Sequence, residues 1–187
     1  MTSPVLPRVA VVTADNRFLR WADRREVHSF ALPHRSVHVL IFNDAGDLLI
    51  QRRHTDKLTF GGYWDLSCAG HVEEPDYISG PDDFLDRVYL SVAERELKEE
   101  LGVSAQLQFL GEFGPEPNVH YECLRLYSGV HNGPFVIQED EVLEVRFVSP
   151  AAFNALSADP NNPLVPGLVW FVAWIRKHTG LFTSGGA

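Results

Sequence analysis

The chain of 187 residues has few cysteines, no cluster of basic residues and no long apolar run. Cys68 and Cys123 are far apart and outside any C-x-x-C pair, which argues against a zinc site. Two reduced thiols in a cytosolic protein are the expectation. No stretch approaches the ~20 consecutive apolar residues of a membrane-crossing helix. The N-terminus MTSPVLPRVAVV also lacks the charged and apolar regions of a secretory leader. The cytoplasm is therefore the expected compartment, with no membrane partner. The net charge is −9 and no Lys/Arg run forms a basic stripe, which argues against a nucleic-acid duplex as partner. An acidic chain can still take a phosphorylated ligand where a divalent cation offsets the charge.

Hydrophobic residues make up 45% and charged residues 22%, a balance that supports a buried core rather than disorder. Short strand-like runs at 8–12 and 18–21 flank Ala14-Asp15-Asn16 and read as a hairpin. The apolar, β-branched run 37–42, the turn Asn43-Asp44-Ala45-Gly46 and the run 48–51 read as a second strand pair. Paired glycines make 58–64 a loop, and 64–69 reads as one more short strand. After a loop at 73–81, a helix is predicted over 82–101, with Asp82 and Asp83 at its positive end and Gly102 as its stop. Strand character returns at 106–113, 120–130 and 144–148. A short helix over 151–156, a loop at 159–163 and a last helix over 166–178 complete the pattern, and the tail 183–187 reads as mobile. Strands on both sides of a central helix predict one α/β domain: an N-terminal hairpin extension (1–30), a core (31–150) and C-terminal helices (151–180). The hairpin is expected to pack on its own domain or on a second subunit, which leaves a homodimer open.

The chemistry concentrates in Arg95-Glu96-Leu97-Lys98-Glu99-Glu100-Leu101-Gly102-Val103. On a helix Glu96, Glu99 and Glu100 fall at i, i+3 and i+4, within an arc of ~100°. Like charges at that spacing repel by several tenths of a kcal/mol, and a hard divalent cation would relieve them, since Mg2+ prefers carboxylate oxygens and phosphates. The spacing alone is equally that of a solvated acidic helix face. Leu97 and Leu101 lie to one side and can anchor the helix.

This string resembles the second half of the Nudix box, G-x5-E-x7-R-E-U-x-E-E-x-G-U, where U is a bulky aliphatic. Arg95, Glu96, Leu97, Glu99, Glu100, Gly102 and Val103 match every fixed position, and Gly70 in Ala69-Gly70-His71-Val72 is similar to the opening glycine. The likeness spans roughly 35–150. From Gly70 to Arg95 the chain counts 25 positions where the box has 14, an insertion of eleven. The box's first glutamate, which helps brace the loop through the arginine, thus has no clean equivalent. Asp76, Asp82, Asp83 and Asp86 are the available substitutes. The upstream run from His34 to Arg53, with Tyr63-Trp64-Asp65-Leu66-Ser67-Cys68-Ala69-Gly70-His71, is similar to isopentenyl-diphosphate isomerases, relatives with the same fold. Those use a cysteine directly before the G-H dipeptide, histidines and a downstream E-x-E. Here Ala69 holds the cysteine position and Cys68 points to the opposite strand face. The downstream motif reads His120-Tyr121-Glu122, and the Glu99-Glu100 pair is kept. These departures favour a hydrolase related to the isomerases.

The resemblance implies an α/β/α sandwich with a central mixed sheet and a catalytic helix. It implies Mg2+ or Mn2+ held by Glu96, Glu99 and Glu100 with the Gly70 carbonyl, and metal-assisted attack of water on a small diphosphate-containing substrate such as a nucleoside diphosphate derivative. Glu96 or Glu99 can double as general base, and Glu122 is a second candidate base against the plain alternative of an exposed strand glutamate. Arg52, Arg53, Arg35, Lys57 and His71 are candidate substrate contacts, each set against a solvated strand end or a loop cap. His34 and His38 are expected in loop or sheet roles. Trp64, Phe60 and Tyr63 are expected in the core rather than lining the cleft. The competing expectations are isomerisation of isopentenyl diphosphate and a ligand-binding Nudix domain with little turnover. The loops 73–81, 114–120 and 157–167 carry no base-recognition code.

Overall fold

The computed structural model describes residues 7–183. The mobile tail expected at the C-terminus lies, from residue 184 onward, outside the described residues. Strands β1 (Arg8–Val12) and β2 (Phe18–Asp23) form the expected hairpin, with Arg8 paired to Asp23. Val11 pairs with His34, so the hairpin extends the sheet of its own domain.

The centre of the sheet is β3 (His34–Phe42), followed across a turn at Gly46 (φ +80) by β4 (Leu48–Arg53). The two strands pair at Phe42 and Leu48 beside the turn and then take different partners. Strand β3 runs antiparallel to β6 (Cys68–His71) and parallel to β8 (Glu122–Val130). Strand β4 takes β5 (Trp64–Asp65) and β9 (Val142–Val148), while β7 (Gln108–Phe113) extends β8. Among the described residues the result is a mixed nine-stranded sheet.

The alternation of β3 sets the layers. Val37, Val39 and Ile41 face α2 (Leu85–Leu101), where they pack with Val88, Val92, Leu97 and Leu101. Leu40 and Phe42 face the other way, toward α3 (Pro150–Ala158) and α4 (Pro166–His178), with Phe153, Leu168, Phe171 and Ile175. Each fully enclosed aliphatic or phenyl side chain contributes roughly 1.5–3 kcal/mol. Helices on both faces give the expected α/β/α sandwich. Trp64 is in the core as expected, whereas Phe60 is 43% exposed. Among the described residues, no helix is long and apolar enough to cross a membrane.

Three local expectations change. Helix α2 begins at Leu85 rather than 82, because the Asp82 carboxylate is drawn away to Arg35 Nη2 at 2.5 Å and the Phe18 N–H at 3.1 Å, and Phe84 adopts a left-handed φ of 52°. It ends as expected at Gly102 (φ +69), whose N–H donates to the Lys98 carbonyl. The segment 64–69 holds no single strand but parts of β5 and β6, which pair with different strands. A six-residue helix, α1 (Arg24–Ser29), was not expected, being too short for its periodicity to show. It is anchored by Val27, fully buried against Val9, Val11 and Ala22.

Candidate active site

Where β3 and β4 diverge, a cleft of about 730 Å³ opens, and α1, α2, β6 and the 118–122 segment line it. Glu96, Glu99 and Glu100 enter from α2. Gly70, on β6, lets Glu96 approach the sheet, since a Cβ there would fall well under 3.0 Å from the Glu96 carboxyl group. Burial pushes the Glu96 carboxyl up to about 8 against the pull of Arg95, and burial pushes Glu100 up to about 7 although Gln51 Nε2 donates to it at 3.0 Å. Glu99 is turned outward to Arg95 at 2.9 Å.

The bracing partner of Arg95 is Asp76, at 3.1 Å, which also accepts from the Glu73 N–H at 2.8 Å. The other three aspartates are engaged elsewhere: Asp82 with Arg35, Asp83 with the Gly80 N–H at 3.0 Å, and Asp86 with Arg125 at 2.6 Å. Arg95 also bonds Glu96 at 2.9 Å, so one guanidinium ties the inserted loop to two of the helix carboxylates. Burial works against the Arg95 charge, but Glu96, Asp76 and Glu99 more than offset it.

The facing wall is rich in imidazole. His34, Ser36 and His38 stand on one face of β3 at every second residue, and β8 brings Glu122 beside His34. His34 stacks on His71 with ring centroids 5.0 Å apart, and His28 of α1 packs edge-on to both. Ligand atoms of His28, His34 and His71 all lie within 4.8 Å of one another, and among the described residues this group alone gathers that tightly. Burial lowers the affinity of all three for protons. Neutral imidazoles are the form that ligates, so the group can hold a transition metal, whereas the carboxylates of α2 suit a hard cation.

Several polar atoms of this wall are buried without a hydrogen-bond partner among the described residues: His34 Nε2, Ser36 Oγ, His38 Nδ1, His120 Nε2 and Glu122 Oε2. Each such group costs roughly 1–3 kcal/mol, and their concentration in one cleft marks a surface shaped for a polar ligand. Burial pushes Glu122 up and holds His38 down to about 3. Behind this wall Phe171 of α4 is stacked on His120 at 5.7 Å and edge-on to His38 at 5.1 Å.

The expected substrate contacts divide. Arg53, Lys57 and His71 line the cleft. Arg53 bonds Asp65 at 2.8 Å, and Lys57, whose proton affinity burial lowers, pairs with Glu141. Arg35 is fully enclosed and donates to Asn16, Tyr77, Asp82 and the Pro81 carbonyl, so its guanidinium holds the inserted loop and presents nothing to a substrate. Arg52 lies outside the cleft lining, bonded to the Gly62 carbonyl at 3.1 Å and near Glu144 at 3.5 Å. His34 has a sheet position, as expected, yet it also joins the imidazole group. Sequence reasoning missed Arg24, His28, Ser36 and His120. The polar i, i+2, i+4 spacing of His34, Ser36 and His38 along an apolar strand was the available signal; α1 left none.

A family model described as the NUDIX domain matches residues 32–168. The uncharacterized Nudix hydrolase PA4841 of Pseudomonas aeruginosa is 36% identical over 146 residues, covering 76% of this chain and 78% of its own. The uncharacterized Nudix hydrolase YfcD of Escherichia coli K12 is 32% identical over 172 residues, covering 91% and 87%. Among solved structures, DR0079 from Deinococcus radiodurans superposes with a TM-score of 0.72 at 19% identity, covering 92% of this chain and 99% of its own. The NUDIX domain of NrtR from Shewanella oneidensis, complexed with ADP ribose, gives 0.57 at 18%, covering 83% and 98%. These matches support the broader family and not the isomerase-like subgroup.

Proposed function

This chain belongs to the Nudix family and is a Nudix hydrolase, and on that premise we propose that it cleaves a phosphoanhydride bond of a small nucleoside-diphosphate-type metabolite, with a divalent cation held by Glu96, Glu99, Glu100 and the Gly70 carbonyl. The observation that carries this is the burial of Glu96 and Glu100 one helical turn apart, each with its carboxyl pushed far above the ordinary range. Burial outweighs the partners that Arg95 and Gln51 provide, and such carboxylates are costly to ionise; the oxygen donor set suits Mg2+ or Mn2+. The gap left by the absent Cβ of Gly70 accommodates the Glu96 carboxyl group. When bound, such a cation would offset the charge of the diphosphate and acidify a water.

The chain's own residues orient and move protons. Arg95, fixed by Asp76, sets the direction of Glu96 and Glu99. Glu122, on the facing wall and with its proton held more tightly than usual by burial, can accept a proton from water and return it to the leaving group. Arg53 and Lys57 also line the cleft, each with its charge already largely offset by a paired carboxylate. The cleft volume suits a metabolite rather than a polymer. The ADP ribose held by the NrtR domain, a relative in fold, supports a nucleoside-diphosphate-linked ligand as the class. Mg2+ as the resident ion and the cytoplasm as the compartment belong to the same proposal.

The isomerase alternative lacks its acid–base thiol. Cys68 is fully buried against α2 with its proton held far more tightly than an ordinary thiol's, and Ala69 takes the cleft-facing position. The test is Mn2+ binding by calorimetry and Mg2+-dependent release of monophosphate from a metabolite panel, for wild type, Glu99→Gln and Glu100→Gln. Loss of both signals in the variants is expected. Equal Mn2+ affinity and equal turnover in all three would remove the metal role, and ligand binding with no metal-dependent product would turn the domain into a binding module.

A further inference from the structure

Among the described residues four long cationic side chains line the cleft: Arg24, Arg53, Lys57 and Arg95. Three are committed to carboxylates. Arg53 holds Asp65 at 2.8 Å, Lys57 pairs with Glu141, and Arg95 is shared among Asp76, Glu96 and Glu99. Arg24 differs. Its nearest carboxylate, Glu73, is 3.5 Å away, and its Nη2 is spent on a neutral acceptor, His71 Nδ1, at 2.9 Å. No other hydrogen bond from its guanidinium is made among the described residues. Its side chain is 36% exposed, open to the cleft. Arg24 begins α1, ahead of residue 32 where the family match starts, so it is supplied by the N-terminal unit and not by the matched domain. The backbone that carries it is fixed: Val27 is fully buried and the His28 ring packs against His34 and His71.

A planar guanidinium whose one hydrogen bond goes to a neutral acceptor, with its nearest carboxylate at 3.5 Å, gains by exchanging that acceptor for a phosphate. Phosphate oxygens accept two parallel N–H bonds, and charge-assisted bonds of this kind are roughly twice as strong as neutral ones. Displacing Arg95, Arg53 or Lys57 would break a carboxylate pair of 3.1 Å or shorter; displacing Arg24 gives up one imidazole nitrogen and loosens a 3.5 Å contact with Glu73 that is not a hydrogen bond. We propose that Arg24 is the anion clamp of this site: it leaves His71 to bind an oxygen pair of the diphosphate. The inference rests on a diphosphate as the ligand and extends that reading by giving the N-terminal unit a part in substrate binding.

The experiment uses inorganic pyrophosphate with the full chain in Mg2+, by calorimetry, for wild type, Arg24→Gln, Arg24→Lys and Arg25→Gln. Arg25 is the exposed neighbour on α1 and lies outside the cleft lining. Arg24→Gln is expected to weaken pyrophosphate binding at least tenfold with Mg2+ affinity and melting temperature unchanged. Arg24→Lys should recover part of the loss and Arg25→Gln should bind as wild type. A histidine 15N spectrum adds a readout that a structural role would not move: the His71 Nδ1 signal should shift on adding pyrophosphate to wild type and stay still in Arg24→Gln. Pyrophosphate bound by Arg24→Gln within twofold of wild type, or not bound by wild type at all, overturns the clamp. Failure of the metal proposal is read separately, from Mn2+ binding by the Glu99 and Glu100 variants.

Discussion

Replacing Gly70 by alanine should separate stability from function. An added Cβ would lie well under 3.0 Å from Cγ, Cδ and Oε1 of Glu96, a distance at which something must move. The atoms it meets end a flexible side chain, so the Glu96 carboxyl swings away and β6 stays in place. Gly70 is not among the positive-φ glycines, and alanine fits its backbone. Lowered freedom of the unfolded chain then adds roughly 0.4–1 kcal/mol to stability. Moving Glu96 toward water adds more. Burial raises its folded pKa from 4.5 to about 8, so the folded protein keeps a proton that the unfolded chain has lost between those values. Stability from this group is therefore greatest below pH 4.5, falls as pH rises, and levels off above 8. At roughly 1.36 kcal/mol per unit, the cost at pH 7 is about 3 kcal/mol in the metal-free protein. Gly70→Ala should melt no lower than wild type in EDTA at pH 8, with its advantage shrinking toward pH 5. Its Mn2+ affinity should fall at least tenfold, and turnover about 10²-fold for a group displaced by about 1 Å. Scanning calorimetry at the two pH values and Mn2+ titration check both halves. Mn2+ binding within twofold of wild type, or a protein unfolded in EDTA, would refute the reasoning.

Other outcomes follow from the same geometry. Arg35→Met should cost about 3–5 kcal/mol in denaturant unfolding, because it strips donors from Asn16, Asp82 and the Pro81 carbonyl in the interior; a raised KM with unchanged stability would instead return Arg35 to substrate binding. Asp76→Asn should lower kcat several-fold with KM little changed, since it loosens Arg95 and hence Glu96 and Glu99; an unaltered kcat would show that the brace is dispensable. His38, held down to about 3 by burial, resists a proton that the unfolded chain accepts below about 6.5. Its contribution is intact above 6.5 and lost as pH falls toward 3. His38→Leu should therefore gain about 2 kcal/mol over wild type on going from pH 7 to pH 5, and an equal stability difference at both pH values would contradict this.

Much of the fold was legible because its signals are local. The hairpin at 8–21, the β3–β4 turn at Gly46 and the stop of α2 at Gly102 each depend on a few adjacent residues. The start of α2 was misplaced because Asp82, a sound residue for a helix start, is engaged by Arg35 from 47 positions away. Arg35 itself, a polar strand residue to the eye, is sealed by a loop that the sequence showed only as an insertion. No composition or periodicity reveals that a short helix such as α1 will dock Arg24 and His28 against the cleft.

By itself the sequence determined the carboxylate-bearing helix α2. Glu96, Glu99 and Glu100 share one side of it because 3.6 residues make a turn, and that holds in any surroundings. Tertiary structure alone decided which aspartate braces Arg95, which arginines face the cleft, and that His28, His34 and His71 meet. Those outcomes depend on segments that touch only once the sheet has closed and the competing partners have been distributed among them, and chain spacing carries no record of that competition.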